Sequence, residues 1–167
     1  MIITVPYEDV NNQKKEAKFD TDSVMLTEEN INEKSMVIAQ QIAKWSFVYA
    51  QYRRKLILLE AEHTKRLAMQ KQIVIAASGV KYTSETAKMD AVLTYKQGDA
   101  YPYAEEELMY QNKKAELLYY IDIIDGSILK ALSMEKDMIV SLGAQMRAGY
   151  KATNTGLPNM PESSALG

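Results

Sequence analysis

The stretch from Thr27 to Gly79, TEENINEKSMVIAQQIAKWSFVYAQYRRKLILLEAEHTKRLAMQKQIVIAASG, decides how this chain is read. It holds no proline, and Gly79 is the first glycine of the sequence. Helix formers therefore run for about fifty positions without a breaker. Thr27 followed by Glu28 and Glu29 is an N-terminal signal, because a hydroxyl caps free N–H groups and acids suit the positive end of the helix dipole. Ser78-Gly79 is the stop, since glycine takes the left-handed conformation that closes helices. Within these limits, Ile31, Ser35, Ile38, Ile42, Trp45, Tyr49, Tyr52, Leu56, Leu59, His63, Arg66, Gln70, Ile73 and Ala77 alternate four and three apart. This is a heptad seam, apolar at first and polar from His63 to Gln70. A helix of this length spans about 75 Å, more than a compact globule accommodates.

A second helix is predicted over 104–150. Pro102 suits a first-turn position and Glu105-Glu106-Glu107 supplies N-terminal acids. Its seam reads Tyr110, Lys114, Leu117, Ile121, Ile124, Ile128, Ala131, Glu135, Met138, Leu142 and Gln145. Gly126 interrupts it, and a close approach of the first helix is the expected reason for a residue that costs about 1 kcal/mol relative to alanine. Thr83-Ser84-Glu85 opens a short helix within 79–103, through Ala87, Ala91, Val92 and Leu93. The fold class expected is all-α: two long antiparallel helices forming a helical hairpin (27–78 and 104–150), with a short helical insertion (79–103), an N-terminal arm (1–26) and a flexible C-terminal tail (151–167). A hairpin buries only a narrow seam, so a homo-oligomer is expected, with Ile121, Ile124, Ile128 and Leu142 as its contacts.

Composition narrows the function. The 167 residues are 47% hydrophobic and 25% charged, with a net charge of −2. This is the profile of a folded chain, neither disordered nor broadly basic. With no cysteine there is no disulfide, iron–sulfur cluster or cysteine-based zinc site, and His63 alone makes no histidine-rich metal centre. No apolar run reaches a membrane span and the opening Met1–Pro6 has no basic lead, so the expected compartment is the cytoplasm. The phosphate-loop, dinucleotide, zinc-protease and serine-hydrolase motifs are all missing. Asp122 and Asp125 share a helical face, but no Glu-x-x-His completes a di-metal site. The expectation is a protein that is not an enzyme and needs no cofactor.

Charge is segregated instead. Arg53, Arg54, Lys55, Lys65, Arg66 and Lys71 face only Glu60 and Glu62 in the same stretch, whereas the first 35 residues and Glu105–Asp137 each carry eight acids and four lysines. Two readings stand side by side. The basic belt grips nucleic-acid phosphates, or it pairs with Glu116, Asp122 and Asp125 across the hairpin. Trp45, Phe47, Tyr49 and Tyr52 lie just upstream, where rings either stack bases or pack helices.

The order of several short motifs resembles the UvsY-type recombination mediators of tailed phages. The motifs are Phe19-Asp20-Thr21-Asp22-Ser23, Lys44-Trp45-Ser46, Leu58-Leu59-Glu60-Ala61, Ser78-Gly79, Tyr82-Thr83-Ser84-Glu85 with Lys88 and Val92-Leu93, Leu117-Leu118-Tyr119-Tyr120, and Met146-Arg147-Ala148-Gly149. The resemblance covers about residues 15 to 150. It implies a ring-like homo-oligomer that binds single-stranded DNA and helps a RecA-like recombinase displace single-stranded DNA-binding protein. It also implies that Lys65, Arg66 and Lys71 are the cations nearest the family's DNA contacts. The net acidity and the extended tail depart from the family pattern. The rival reading is a helical assembly protein, phage or bacterial, that touches no nucleic acid.

Overall fold

The computed structural model describes residues 1–20 and 31–154, with side chains as far as Ala148. Two alternating runs form its first element. Strand β1 (Ile2–Glu8) and strand β2 (Lys14–Asp20) pair antiparallel, with Val5 opposite Ala17 and Ile3 opposite Phe19. The pleat sends these residues to one face, which packs on the helices; Val5 and Ala17 are both fully buried. Asp9 shapes the turn between the strands. Its Oδ1 accepts the N–H groups of Asn11 and Gln13 at 2.9 Å each, and Asn12 takes a φ of 59°. A short polar side chain tolerates that left-handed conformation.

Helix α1 (Ile31–Ser78) runs for 48 residues, about 72 Å at 1.5 Å per residue. Positions 27–30, where its start was expected, lie outside the described residues. Its end is closed by Gly79, with φ 65° and its N–H donated to the Ile75 carbonyl at 3.0 Å. That single backbone bond is the left-handed helix cap. Helix α2 (Glu85–Leu93) begins at Ser84, whose hydroxyl accepts the N–H of Ala87 at 3.1 Å. Helix α3 (Pro102–Ile123) begins with proline in its first turn, and continues through a π-helical segment (Ile124–Leu129) into helix α4 (Lys130–Asn154).

The chain returns along α1. Tyr120 meets Tyr52, Tyr110 stacks on His63, and Ile139 packs with Ile31 and Ile38. The main core joins Val5 and Ala17 to Trp45, Val48, Tyr52 and Leu56 of α1, and to Ile121, Ile124, Ile128 and Leu132. Gln51 and Tyr52 attach the ribbon to α1 by hydrogen bonds. The Gln51 amide donates to the Glu8 carbonyl and accepts the Glu8 N–H, and the Tyr52 hydroxyl donates to the Pro6 carbonyl. Burial pushes the Tyr52 hydroxyl up to about 12.

The all-α helical hairpin expected from the sequence is overturned on two counts. A two-stranded sheet belongs to the core, and the second long segment is three pieces joined end to end. A helical period cannot register Val5 and Ala17, whose burial follows the two-residue repeat of a strand. The π segment has a consequence for the seam. A π turn spans i to i+5 and so adds one residue to the α repeat. Ile124 and Ile128 stay buried, but beyond them the inward positions are Leu132 and Ile139, with Met146 packed beside them. Each follows by one residue the position expected from a continuous heptad, namely Ala131, Met138 and Gln145. Gly126 lies in this turn with open space around it, so the close helix approach expected there is absent. Helix α4 continues to Asn154, four residues into the expected tail; the rest of the tail lies outside the described residues.

Candidate nucleic-acid interface

The six belt cations all project from α1, and the structure divides them into two sets. Lys55, Arg66 and Lys71 are neutralised by other elements. Lys55 Nζ lies 3.1 Å from Glu8 Oε1 on β1, Arg66 Nε lies 3.8 Å from Glu106 Oε2 on α3, and Lys71 Nζ lies 2.8 Å from Glu85 Oε2 on α2. Glu85 also receives Lys88 at 2.7 Å, and hydrogen bonds first from Lys71 and then from Lys88 hold its carboxyl down at about 2. Arg53, Arg54 and Lys65 are exposed and have no ion-pair partner among the described residues.

The polar part of the seam explains this division. His63 is half-buried, stacked on Tyr110 with ring centroids 3.6 Å apart, and its Nε2 lies 2.6 Å from Glu107 Oε2. Burial pushes the Glu107 carboxyl up, but hydrogen bonds from Gln111 and His63 outweigh it and hold the group below the usual carboxylate range. Gln70, a buried polar side chain, donates to Glu106 at 2.7 Å. Lys114 reaches back to Glu60 at 2.8 Å. The first turn of α2 thus places Glu85, and the second turn of α3 places Glu106 and Glu107, against the polar half of α1.

Sequence reasoning assigned the pairing to Glu116, Asp122 and Asp125. All three are exposed and make no ion pair among the described residues. The signal that was available is the acid run Glu105-Glu106-Glu107. Besides complementing the helix dipole, this run is brought against the polar half of α1 by the antiparallel return of the chain.

The structure also relocates the aromatic and assembly residues. Trp45 and Tyr52 are core and Tyr49 is half-buried, leaving Phe47, 42% exposed, as the free ring of that group. Ile121, Ile124 and Ile128 are no more than 5% exposed within a single chain. Leu142 packs against Ile31, Ile38 and Ile139. All four side chains pack within a single chain, which covers them as core rather than presenting them to a second copy. The large apolar side chains that α1 leaves outward include Ile57 at 60% exposure, Leu58 at 52% and Met69 at 55%. No group of three metal-ligating side chains forms among the described residues, Asp122 and Asp125 included. None of the described helices is long and apolar enough to cross a membrane.

The fold and surface define a class: a long helix covered on one side by a β-ribbon and a returning helical segment, with a partly free row of cations. No family model, curated protein or solved structure matches the chain. The functional reading therefore rests on the geometry and on the pattern of the sequence.

Proposed function

We propose that this chain is a non-enzymatic recombination mediator that binds single-stranded DNA, assembles with copies of itself, and promotes loading of a RecA-like recombinase by displacing single-stranded DNA-binding protein. Its place of work on this reading is the cytoplasm of a phage-infected bacterium. The observation that carries the DNA-binding step is that Arg53, Arg54 and Lys65 are exposed and have no ion-pair partner among the described residues, while Lys55, Arg66 and Lys71 on α1 are paired. Burying a cation without a partner is costly, but leaving one in solvent is not. Arg54 and Lys65 are also about three helical turns apart, which puts them on one face about 16 Å from each other. Point charges so placed suit a flexible, sequence-independent phosphate backbone, and repetition over several copies multiplies a weak contact.

A second reading has its own observation. Ile57, Leu58 and Met69 are exposed on α1, and a helix with apolar residues on its outer side is commonly buried against another. On that reading the protein only builds an assembly. One experiment separates the two. Single-stranded DNA is coated with its binding protein, a RecA-like recombinase is added, and the lag before filament growth is timed with and without this protein. A mediator shortens the lag, and the variant carrying Arg54→Glu and Lys65→Glu does not. An unchanged lag, together with no DNA binding by a folded sample, leaves the assembly reading.

A further inference from the structure

The segment between α1 and α3 folds into a site that the cation row does not include. The last turns of α1 and helix α2 border a shallow, open cleft of about 570 Å3. Ala77, Ala87 and Ala91 leave it open, and Tyr82, Tyr95, Asp90 and Lys96 border it. Its walls are held from behind. The Tyr82 hydroxyl donates to Ser78 Oγ at 3.3 Å, at the end of α1. Tyr103 stacks on Tyr95 with centroids 5.3 Å apart and planes 16° apart. A tight turn at Gln97–Ala100, with Gly98 at φ 66°, brings the Lys96 ammonium to 5.3 Å from the Tyr101 ring centroid. Lys96 has no carboxylate partner among the described residues.

We propose that this cleft takes an unstacked base of single-stranded nucleic acid, packed against Tyr95 and Tyr82, with Lys96 on an adjacent phosphate. The inference rests on the nucleic-acid reading above and adds a second kind of contact to it. Three features favour a base over an apolar side chain of a protein partner. Tyrosine rings offer π-faces that accept any base. The Asp90 carboxylate at the border accepts from the exocyclic amino groups that adenine, cytosine and guanine present. Lys96, whose ammonium lies over the Tyr101 ring and meets no carboxylate among the described residues, supplies positive charge beside the cleft. The cleft also lies on the helix that carries the free cations: Ser78 is about 20 Å beyond Lys65 along α1. At about 3.6 residues per turn, Val74 and Ser78 lie on roughly the opposite side of α1 from Lys65, so a strand that touches both passes around the helix.

The test compares two labelled oligodeoxynucleotides of equal length, one ordinary and one abasic throughout, by fluorescence anisotropy at a fixed low salt concentration. Both carry the same phosphates and only one carries bases. The ordinary strand is expected to bind on the order of ten-fold more tightly. Tyr82→Ala with Tyr95→Ala should erase that preference and leave abasic binding unchanged, whereas Tyr95→Phe should keep it. Arg54→Glu with Lys65→Glu should weaken both strands by the same factor. Equal affinity of the unmodified protein for the two strands overturns the cleft and leaves the cation row standing; it needs no variant to fold. A preference that survives loss of both tyrosines also overturns it, since the bases are then read elsewhere. Failure of a folded sample to bind either strand overturns both proposals.

Discussion

The division of the belt into free and paired cations makes a quantitative prediction about salt. Each phosphate contact on a single strand contributes about 0.7 to the slope of log K against log salt. Three cations, Arg53, Arg54 and Lys65, lack a carboxylate partner among the described residues, so a slope of about −2 per contacting chain is expected. Six working cations would give about −4. Between 50 and 200 mM salt the first case loses about 20-fold in affinity and the second about 300-fold. The assay is anisotropy of a labelled oligonucleotide across that salt range, fitted per chain bound. Variants then remove the dependence on stoichiometry. Arg54→Glu with Lys65→Glu should flatten the slope by about 1.4 units. Arg66→Glu with Lys71→Glu should leave it unchanged and lower the unfolding midpoint instead, because it sets like charges against Glu106 and Glu85. Equal flattening by both double variants would refute the division, since the paired set would then release counterions as readily as the free set.

Three further outcomes follow from the packing and the charges. Deleting Gly126 should turn the π segment into a regular helix while Leu132 and Ile139 stay inward, so helicity by circular dichroism and the melting midpoint hold. Deleting Ser133, beyond the π turn, rotates Ile139 out of its pocket and should cost about 2 kcal/mol or more in a urea titration; equal losses would sink the register argument. Val5→Asp places a carboxylate where exposure is 0% and should destabilise by about 3–5 kcal/mol, whereas a ribbon that merely rests on α1 gives a denaturation curve like that of the unaltered protein. The Glu85 and Glu107 carboxyls sit below their ordinary values, at about 2 for Glu85. The native state therefore binds fewer protons than the unfolded chain between these values and the ordinary carboxylate range. Stability from both groups is present above about pH 5 and is lost as the pH falls toward 2. Thermal melts at stepped pH should show that fall, and Glu85→Gln should make it shallower.

Several local features were legible from residues alone. Gly79 closes α1, Ser84 caps α2 and Pro102 occupies the first turn of α3. Each acts on backbone groups within a few positions of itself, so sequence spacing contains the whole argument. The ribbon was equally local in principle. Ile3, Val5 and Tyr7 alternate, Asp9 to Gln13 carries turn-forming residues, and Ala17 and Phe19 alternate again. Its signal is weak because each strand is only seven residues long and charged Glu8, Lys14 and Lys15 occupy the strand ends, beside a helix of 48 residues.

Other properties belong to tertiary structure alone. Whether a cation on α1 is free depends on which carboxylate stands opposite. The answer comes from β1 for Lys55, from α3 for Arg66 and from α2 for Lys71. Whether Ile121, Ile124 and Ile128 face a second copy or their own chain depends on the ribbon and α1 being there to cover them. The one-residue shift at Ile124–Leu129 lets Leu132 and Ile139 meet α1 despite their positions in the heptad. The sequence by itself therefore determined where α1 ends and where α2 and α3 begin, because capping is short-range. Only the packed chain decided which side chains are core, which charges cancel and which remain for a ligand, because burial and ion pairing depend on atoms far apart in sequence.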